Sequence, residues 1–485
     1  MSDRAPSWLD RRSTIAALVL MSVVPLLWPT TPPLTDLPGH MGRYAVQLGL
    51  AGGEWYSFKW ALVGNLGVDI FVQLFGPLIG LEIAVKVIVI ATVAMTTLGM
   101  LLLAKQIHGR VPQTALFALP FVYSYPFHYG FVNFSLSVGF AFLAFALWVR
   151  LADQERLRAL IFVPLASIVW VAHVYGWGVL GVLAFAFEAR RGGQKLWRAM
   201  LGCLPLTVPF LLMIMSQQSE GVGFTGDWLN VSRKTIAIFS VLRDRWQWFD
   251  LGSLVVLSVV IFLPVRSKSD KALALAAILF TLLFIAMPTT LIGSTFADSR
   301  MLPILFAIAI LSIKPSQMQW IGLVALAFFG VRTVGTTISY WQYDQSYKHE
   351  LAALAHIPPR ARLVSLVRVN CMPRWAEHRL EHLPGLALVR RGAFSNDQWN
   401  QPGAQLARTH YPQGAPFDRD PSQFVIAGKH CQPGYRLFSD ALQTIPRAAF
   451  DYIWVINAPP DPLADYRGLT PLWKSGNSGV YRINR

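Results

Sequence analysis

Apolar positions along this chain come in long, almost unbroken runs, such as Ile83 to Ala104 and Phe131 to Val149. A run of about 20 apolar residues crosses a bilayer core as a helix. Hydropathy predicts about eleven such segments, over 15–29, 81–104, 113–126, 130–149, 159–172, 175–189, 197–215, 251–265, 271–290, 300–313 and 317–337. The fold class expected is therefore a polytopic α-helical membrane protein. The first segment has basic flanks and no small-residue cleavage site after it, so it reads as an uncleaved anchor.

Two regions break the pattern. The stretch 30–80 is too long for a turn and too amphipathic for a span. Within it, Pro38 suits a first helical turn, where its missing N–H costs nothing. His40, Arg43 and Gln47 then share one face, and Met41, Tyr44, Ala45 and Leu48 the other. A second helix is expected from Asn65 to Leu78, with Asn65, Asp69 and Gln73 as a polar stripe. Both read as helices lying in the membrane interface. From about Tyr340 charge, Pro and Gly return. Short runs at Arg362–Val367, Gly385–Val389, Tyr452–Ile456 and Gly479–Ile483 read as strands between turns. The expected organisation is a membrane domain over 1–339 and a soluble α/β or α+β domain over 340–485.

Composition agrees: of 485 residues, 54% are hydrophobic and 14% charged, against about 25% charged in globular domains. The net charge of +16 is not read as a nucleic-acid footprint, because much of it lies in short loops between spans. Arg11 and Arg12, Lys105 and Arg110, Arg150 and Arg156, Arg190 and Arg191, Arg266, and Lys314 all fall on one side of the eleven-span count, which marks that side as cytoplasmic. The loop carrying Asp36 and the C-terminal domain then face outward. Cys203 lies within a predicted span; Cys371 and Cys431 share the outer domain, where they either pair as a disulfide or stay free.

Under this topology every outer connection contributes polar groups. The first loop brings Asp36, His40, Arg43 and Asp69; the next turns bring His128, Tyr129, Asn133 and His173; the later loops bring Arg233, Lys234, Arg243, Arg245 and Arg300. Ionisable groups at membrane depth are costly and usually paired or functional. A carboxylate there can act as a general base or hold a divalent cation, and guanidinium groups suit a phosphate. Bland readings stand beside these. Asp36 could cap the helix beginning near Pro38, and His40 and Arg43 could face lipid headgroups. Asp69 could belong to a surface helix, and His128 and His173 could be hydrogen-bonded structural residues. Arg300 could pair with Asp298. Arg233, Lys234, Arg243 and Arg245 could touch anionic lipid. Glu82 and Lys86 fit an internal i,i+4 pair.

The first loop reads Pro32-Pro33-Leu34-Thr35-Asp36-Leu37-Pro38-Gly39-His40-Met41-Gly42-Arg43, with Tyr129-Gly130-Phe131-Val132-Asn133-Phe134 and Arg390-Arg391-Gly392-Ala393-Phe394 further on. In these segments and in its layout the chain resembles the GT-C superfamily of membrane glycosyltransferases, in particular bacterial members with a Pro-Pro-x-x-Asp-x-Pro-x-His-x-x-Arg first outer loop. The resemblance implies a polyprenyl-phosphate-linked sugar donor, a glycan, lipid or protein acceptor, and residence in the bacterial inner membrane with the N-terminus cytoplasmic and the C-terminal domain periplasmic. It also implies that Asp36 is the catalytic base. His40, Arg43, Asp69, His128, Tyr129, Asn133, His173, Arg233, Lys234, Arg243, Arg245 and Arg300 are the expected donor- and acceptor-binding residues. The chain departs from many relatives in lacking a second acid beside Asp36, which leaves a divalent cation open. A transporter or lipid flippase is the competing class. It would need mid-span charges and duplicated halves, and the sequence has few of the former and no internal repeat.

Overall fold

The structure is a computed structural model that describes residues 8–191, 195–216, 224–262, 269–315, 318–370, 374–401, 405–427, 434–459, 461 and 463–484. Cys371 and Cys431 lie outside these residues. The chain divides into two compact units. One comprises Met1–Trp28, Ala61–Val68 and Val87–Ser339; the other comprises Pro29–Trp60, Asp69–Lys86 and Tyr340–Arg485. Most of the first outer loop, assigned by sequence to the membrane domain, thus belongs with the C-terminal domain.

The first unit is helical. It holds α1 (Arg12–Leu27), most of α4 (Leu81–His108), α5 (Tyr125–Tyr129), α6 (Val132–Arg150), α7 (Glu155–Ala172), α8 (Val174–Arg190), α9 (Leu196–Gly202), α10 (Pro209–Met215), α11 (Val231–Phe239), α12 (Gln247–Phe262), α13 (Lys271–Ala286), α14 (Met301–Leu311) and the start of α15 (Gln319–Leu351). Among the described residues three helices are long and apolar enough to cross a membrane, and a fourth if the bent α9–α10 pair counts as one span. Those helices make the chain an integral membrane protein. Shorter apolar helices take the place of several segments expected as full spans. Proline explains part of the difference. The expected span at 113–126 is a run of 3-10 turns, Gln113–Tyr123, containing Pro120 and followed by α5 with Pro126. The segment at 197–215 bends by 58° where Pro205 and Pro209 follow Cys203, which is half-buried at the break.

Charges inside this unit are paired, as a low-dielectric interior demands. Arg158 donates to Glu188 at 2.7 Å, and Trp148 Nε1 donates to the same carboxylate at 2.9 Å. Arg332 donates to Asp250 at 2.8 Å.

The second unit holds α2 (Leu37–Gln47), most of α3 (Gly67–Ile79), α16 (Gly385–Arg391), α17 (Phe438–Thr444) and two sheets. The larger sheet has six strands in the order β5-β4-β2-β6-β8-β7. Here β2 is Leu363–Arg368, β4 Phe424–Ile426, β5 Arg436–Leu437, β6 Tyr452–Ile456, β7 Leu469–Ser475 and β8 Ser478–Ile483. The centre is parallel: β2 runs with β6 from Leu363↔Tyr452 to Val367↔Ile456, and with β4 on its other edge. Apart from Ser365 and Arg368 its two central strands, β2 and β6, are apolar and almost wholly buried, because both faces are covered. A β6–β8–β7 antiparallel edge completes the sheet. The core gathers Val364, Leu366, Phe438, Phe450, Ile453 and Val455 with Val46, Trp55 and Tyr56 of the first outer loop.

That loop is built into the domain. β1 (Tyr56–Phe58) pairs antiparallel with β3 (Ala407–Thr409), and the buried Arg379 guanidinium donates to the Pro33 carbonyl at 2.6 Å. For this reason α2 is not an interface-plane helix: nearly every residue in it is buried. Only α3 keeps the expected character, with Ile70, Leu74, Phe75 and Leu78 exposed on one side. The run Gly385–Val389, expected as a strand, is the start of helix α16. Pro384 at its N-terminus and Gly392, at φ 59° after its last turn, are helix start and stop signals that outweigh the apolar run between them.

Helices α2 and α16 meet with almost no room. A Cβ on Gly385 would stand 2.4 Å from the Pro38 carbonyl oxygen, a backbone atom that cannot swing aside. Gly385→Ala is therefore expected to cost about 1–3 kcal/mol of stability, read as a lower thermal midpoint of the purified protein. An unchanged midpoint would mean that this contact has slack.

Candidate functional site

Asp36 sits at the N-terminus of α2, where a carboxylate could serve only as a cap. It does not do so: its side chain makes no capping bond, and its backbone is helical (φ −85°, ψ −12°) rather than extended as a capping residue's usually is. The buried carboxylate instead lies with Oδ1 3.8 Å from Nε2 of His382. Around that imidazole the C-terminal domain places two more acids. Asp420 Oδ1 is 3.9 Å from Nε2, and Asp397 Oδ2 is 3.9 Å from Nδ1. Trp399 lies against the rings of both His382 (4.4 Å between centroids) and His40 (4.9 Å). Gln398 ties the group to α2, donating from Nε2 to the Gly39 carbonyl at 3.2 Å and to Asp397 Oδ1 at 3.0 Å.

Burial sets the protonation of this cluster. It lowers His40 well below the usual histidine value, helped by the Arg43 and His382 charges. It lowers His382 too, against the pull of Asp397. Burial raises Asp397, and it pushes Asp420 up to about 6. Both imidazoles are therefore neutral near pH 7 and able to accept a proton. Among the described residues no three His, Cys, Asp or Glu side chains are arranged to hold a metal ion.

Arg43 and Asp69 are also close to each other, but not as expected. Asp69 is fully buried, and Arg43 is ion-paired to it. Gln47 donates from Nε2 to the Asp69 carbonyl at 2.8 Å. The shared face of α2 read from the sequence is real, and it clamps α3 through Arg43 and Gln47. Neither Arg43 nor Asp69 is a headgroup-facing surface group. Glu82 pairs with Arg390 of α16 at 2.7 Å.

In the helical unit the expected residues part into several roles. Asn133 is taken up by structure: its Oδ1 accepts from the Val68 N–H at 2.6 Å and its Nδ2 donates to the Asn65 carbonyl at 2.9 Å. His173 caps α8, its Nδ1 accepting from the Tyr175 N–H at 3.1 Å. Burial, then the Arg300 charge, brings it down to about 3, so it stays neutral. His128 is fully buried and stacks near Tyr123; Tyr129 packs on Phe131 and Phe296. Lys234 does not face lipid headgroups. Its ammonium donates to the Phe284 and Met287 carbonyls and to Asp298 at 2.7, 2.9 and 3.0 Å, which uses all three protons. Arg233 is largely exposed and 3.3 Å from Asp227. Arg243 and Arg245 are half-buried, Arg243 over the Tyr125 ring.

Asp298 thus pairs with Lys234, and Arg300 is bound close by. Its Nη2 donates to Ser294 Oγ at 2.9 Å and to the Thr295 carbonyl at 3.2 Å, and its guanidinium carbon lies 4.1 Å from the Phe131 ring centre and 5.4 Å from that of Tyr175. This aromatic setting fixes a positive charge in one orientation.

His382, Asp397, Trp399 and Asp420 were not singled out from the sequence. One signal was there. Asp36-Leu37-Pro38-Gly39 has a counterpart in His382-Leu383-Pro384-Gly385, an ionisable residue before the same Leu-Pro-Gly turn.

No family model matches the chain, and no curated protein matches it by sequence. By structure it is similar to ArnT from Cupriavidus metallidurans, whose crystal structure is bound to undecaprenyl phosphate. The TM-score is 0.53, with 97% of each chain covered at 10% identity. At that identity the likeness is one of fold, and it extends over both units of the chain. The chain shares the fold of that structure, which agrees with the layout expected of the GT-C superfamily it resembles.

Proposed function

We propose that this protein is a glycosyltransferase that moves a sugar from a polyprenyl-phosphate donor to an acceptor at the outer face of a bacterial inner membrane. In this reading the N-terminus is cytoplasmic and the C-terminal domain periplasmic. One observation carries the reading: in a chain of this fold, the buried Asp36 carboxylate lies beside His382, around which the C-terminal domain gathers two further acids. A buried carboxylate at that position, among neutral imidazoles, is suited to take a proton from an acceptor hydroxyl. The hydroxyl oxygen then attacks the anomeric carbon opposite the departing lipid phosphate, which inverts the configuration. His40 and Trp399, whose rings pack together 4.9 Å apart beside this cluster, are assigned to sugar contact. Arg300, a fixed cation in an aromatic setting, is assigned to binding the phosphate of the lipid donor. The fold's likeness to a protein solved with undecaprenyl phosphate supports a lipid-phosphate donor.

Binding of undecaprenyl phosphate itself tests the donor class. Native mass spectrometry of the full chain should show one bound lipid that survives detergent activation. Arg300→Lys should weaken retention by about tenfold or more, because an ammonium cannot make the forked contact of a guanidinium. Equal retention by wild type and by both Arg300→Lys and Arg300→Ala would remove Arg300 from this role. No retained lipid in the wild type would count against the donor class.

A further inference from the structure

The two Leu-Pro-Gly turns lie back to back. A Cβ on Gly39 would stand 3.2 Å from His382 Cβ, and one on Gly385 would strike the Pro38 carbonyl. Each turn is preceded by an ionisable residue, and the packing brings those two, Asp36 and His382, face to face. His382 is buried, yet packing does not explain its company. Three carboxylates surround one imidazole, each of them costly to bury. Two go to Nε2, from Asp36 and Asp420, and one to Nδ1, from Asp397. Asp397 has its Oδ1 fixed by Ser395 Oγ at 2.7 Å and by Gln398. Its Oδ2 and His382 Nδ1 are buried without a hydrogen-bond partner, 3.9 Å apart and facing each other. Separations of 3.8–3.9 Å are too long for hydrogen bonds. A shift of under about 1 Å would make them, and catalytic contacts commonly tighten only when substrate is bound.

We propose that His382 is a proton-relay and positioning residue for Asp36, receiving at Nε2 the proton that Asp36 draws from the acceptor and passing it to Asp420. The inference rests on the reading of Asp36 as base. As the new bond from acceptor oxygen to anomeric carbon forms and the carbon–phosphate-oxygen bond breaks, the acceptor O–H proton moves to Asp36. Asp36 then gives it to the lone pair on Nε2. The imidazolium so formed lies among carboxylates that stabilise it, and Nε2 releases the proton to Asp420 Oδ1. Asp420 is the more open of the two acids around His382 in the C-terminal domain, 17% exposed against 0% for Asp397, and hands the proton to water. Asp397 holds the Nδ1–H tautomer, which keeps the Nε2 lone pair toward Asp36. The charged and titratable groups facing His382 are Asp36, Asp397, Asp420 and, beside Trp399, His40.

The test is 15N NMR of the full chain labelled at histidine, in nanodiscs without substrate, with the His382 signals assigned by H382Q. The wild type should show the Nδ1–H tautomer. D397N should mix or reverse the tautomers. D36N should lower the His382 titration midpoint by about one unit, since it removes an anion within about 4 Å, and D420N should lower it less, because burial keeps Asp420 protonated up to about pH 6. D420N lies at the more open edge and is the variant least able to disturb the fold. A His382 tautomer and midpoint unmoved in D397N and D420N would overturn the relay. If D36N abolishes transfer while His382 stays unmoved by all three substitutions, the relay fails and the base assignment stands. Retained transfer in D36N defeats the base assignment itself.

Discussion

Asp36→Asn is expected to lower sugar transfer by about 10²–10⁴-fold, the usual share of a positioned general base, while leaving the protein folded. The amide keeps the size of the carboxylate and loses its ability to take a proton. The fold should survive because the carboxylate makes no capping bond and α2 is held by other means. Arg379 grips the Pro33 carbonyl, Gln398 the Gly39 carbonyl, and β1 pairs with β3. Were Asp36 a cap, the order of effects would reverse, with about 1 kcal/mol of stability lost and transfer nearly unchanged. Initial rates of transfer and the thermal midpoint of the same preparation separate the two.

The largest expected stability effect lies about two turns further along α2. Arg43→Ala strips the fully buried Asp69 of its guanidinium and should cost about 3–5 kcal/mol. Asp69→Ala should do similar harm from the other side. Replacing both, Arg43→Met with Asp69→Leu, should restore most of the loss, because a well-packed apolar pair often matches a buried ion pair. Thermal unfolding of the three variants reads this out. If the double variant is as unstable as either single one, shape rather than charge holds α2 to α3. Reduced transfer in the double variant at restored stability would return Arg43 and Asp69 to the binding residues expected from the sequence.

What the sequence made legible was local. Asp36 ahead of Pro38 placed a carboxylate at a helix start, and spacings of three and four put Arg43 and Gln47 on one face of α2. Long apolar runs located the helices of the first unit, with errors where proline shortened or bent them. A short apolar run does not distinguish strand from helix, so Gly385–Val389 predicts a strand where the chain forms α16. The partners of Asp36 were hidden for a different reason. His382, Asp397, Trp399 and Asp420 come from loops and helix starts hundreds of residues later, and tertiary packing alone brings them to the first loop. Lys234, Asn133 and Asp69 carried the polar character of site residues, but their hydrogen-bonding capacity is used inside the fold. Their residue types alone could not tell the two uses apart.

The most direct test of the central claim is mass spectrometry of the lipids and envelope glycans of the native host after deletion of this chain. The account predicts that one polyprenyl-phosphate-linked sugar accumulates and one glycan loses a sugar. The wild-type chain should restore both and Asp36→Asn neither. An unchanged set of polyprenyl-phosphate sugars, or full restoration by Asp36→Asn, would contradict it.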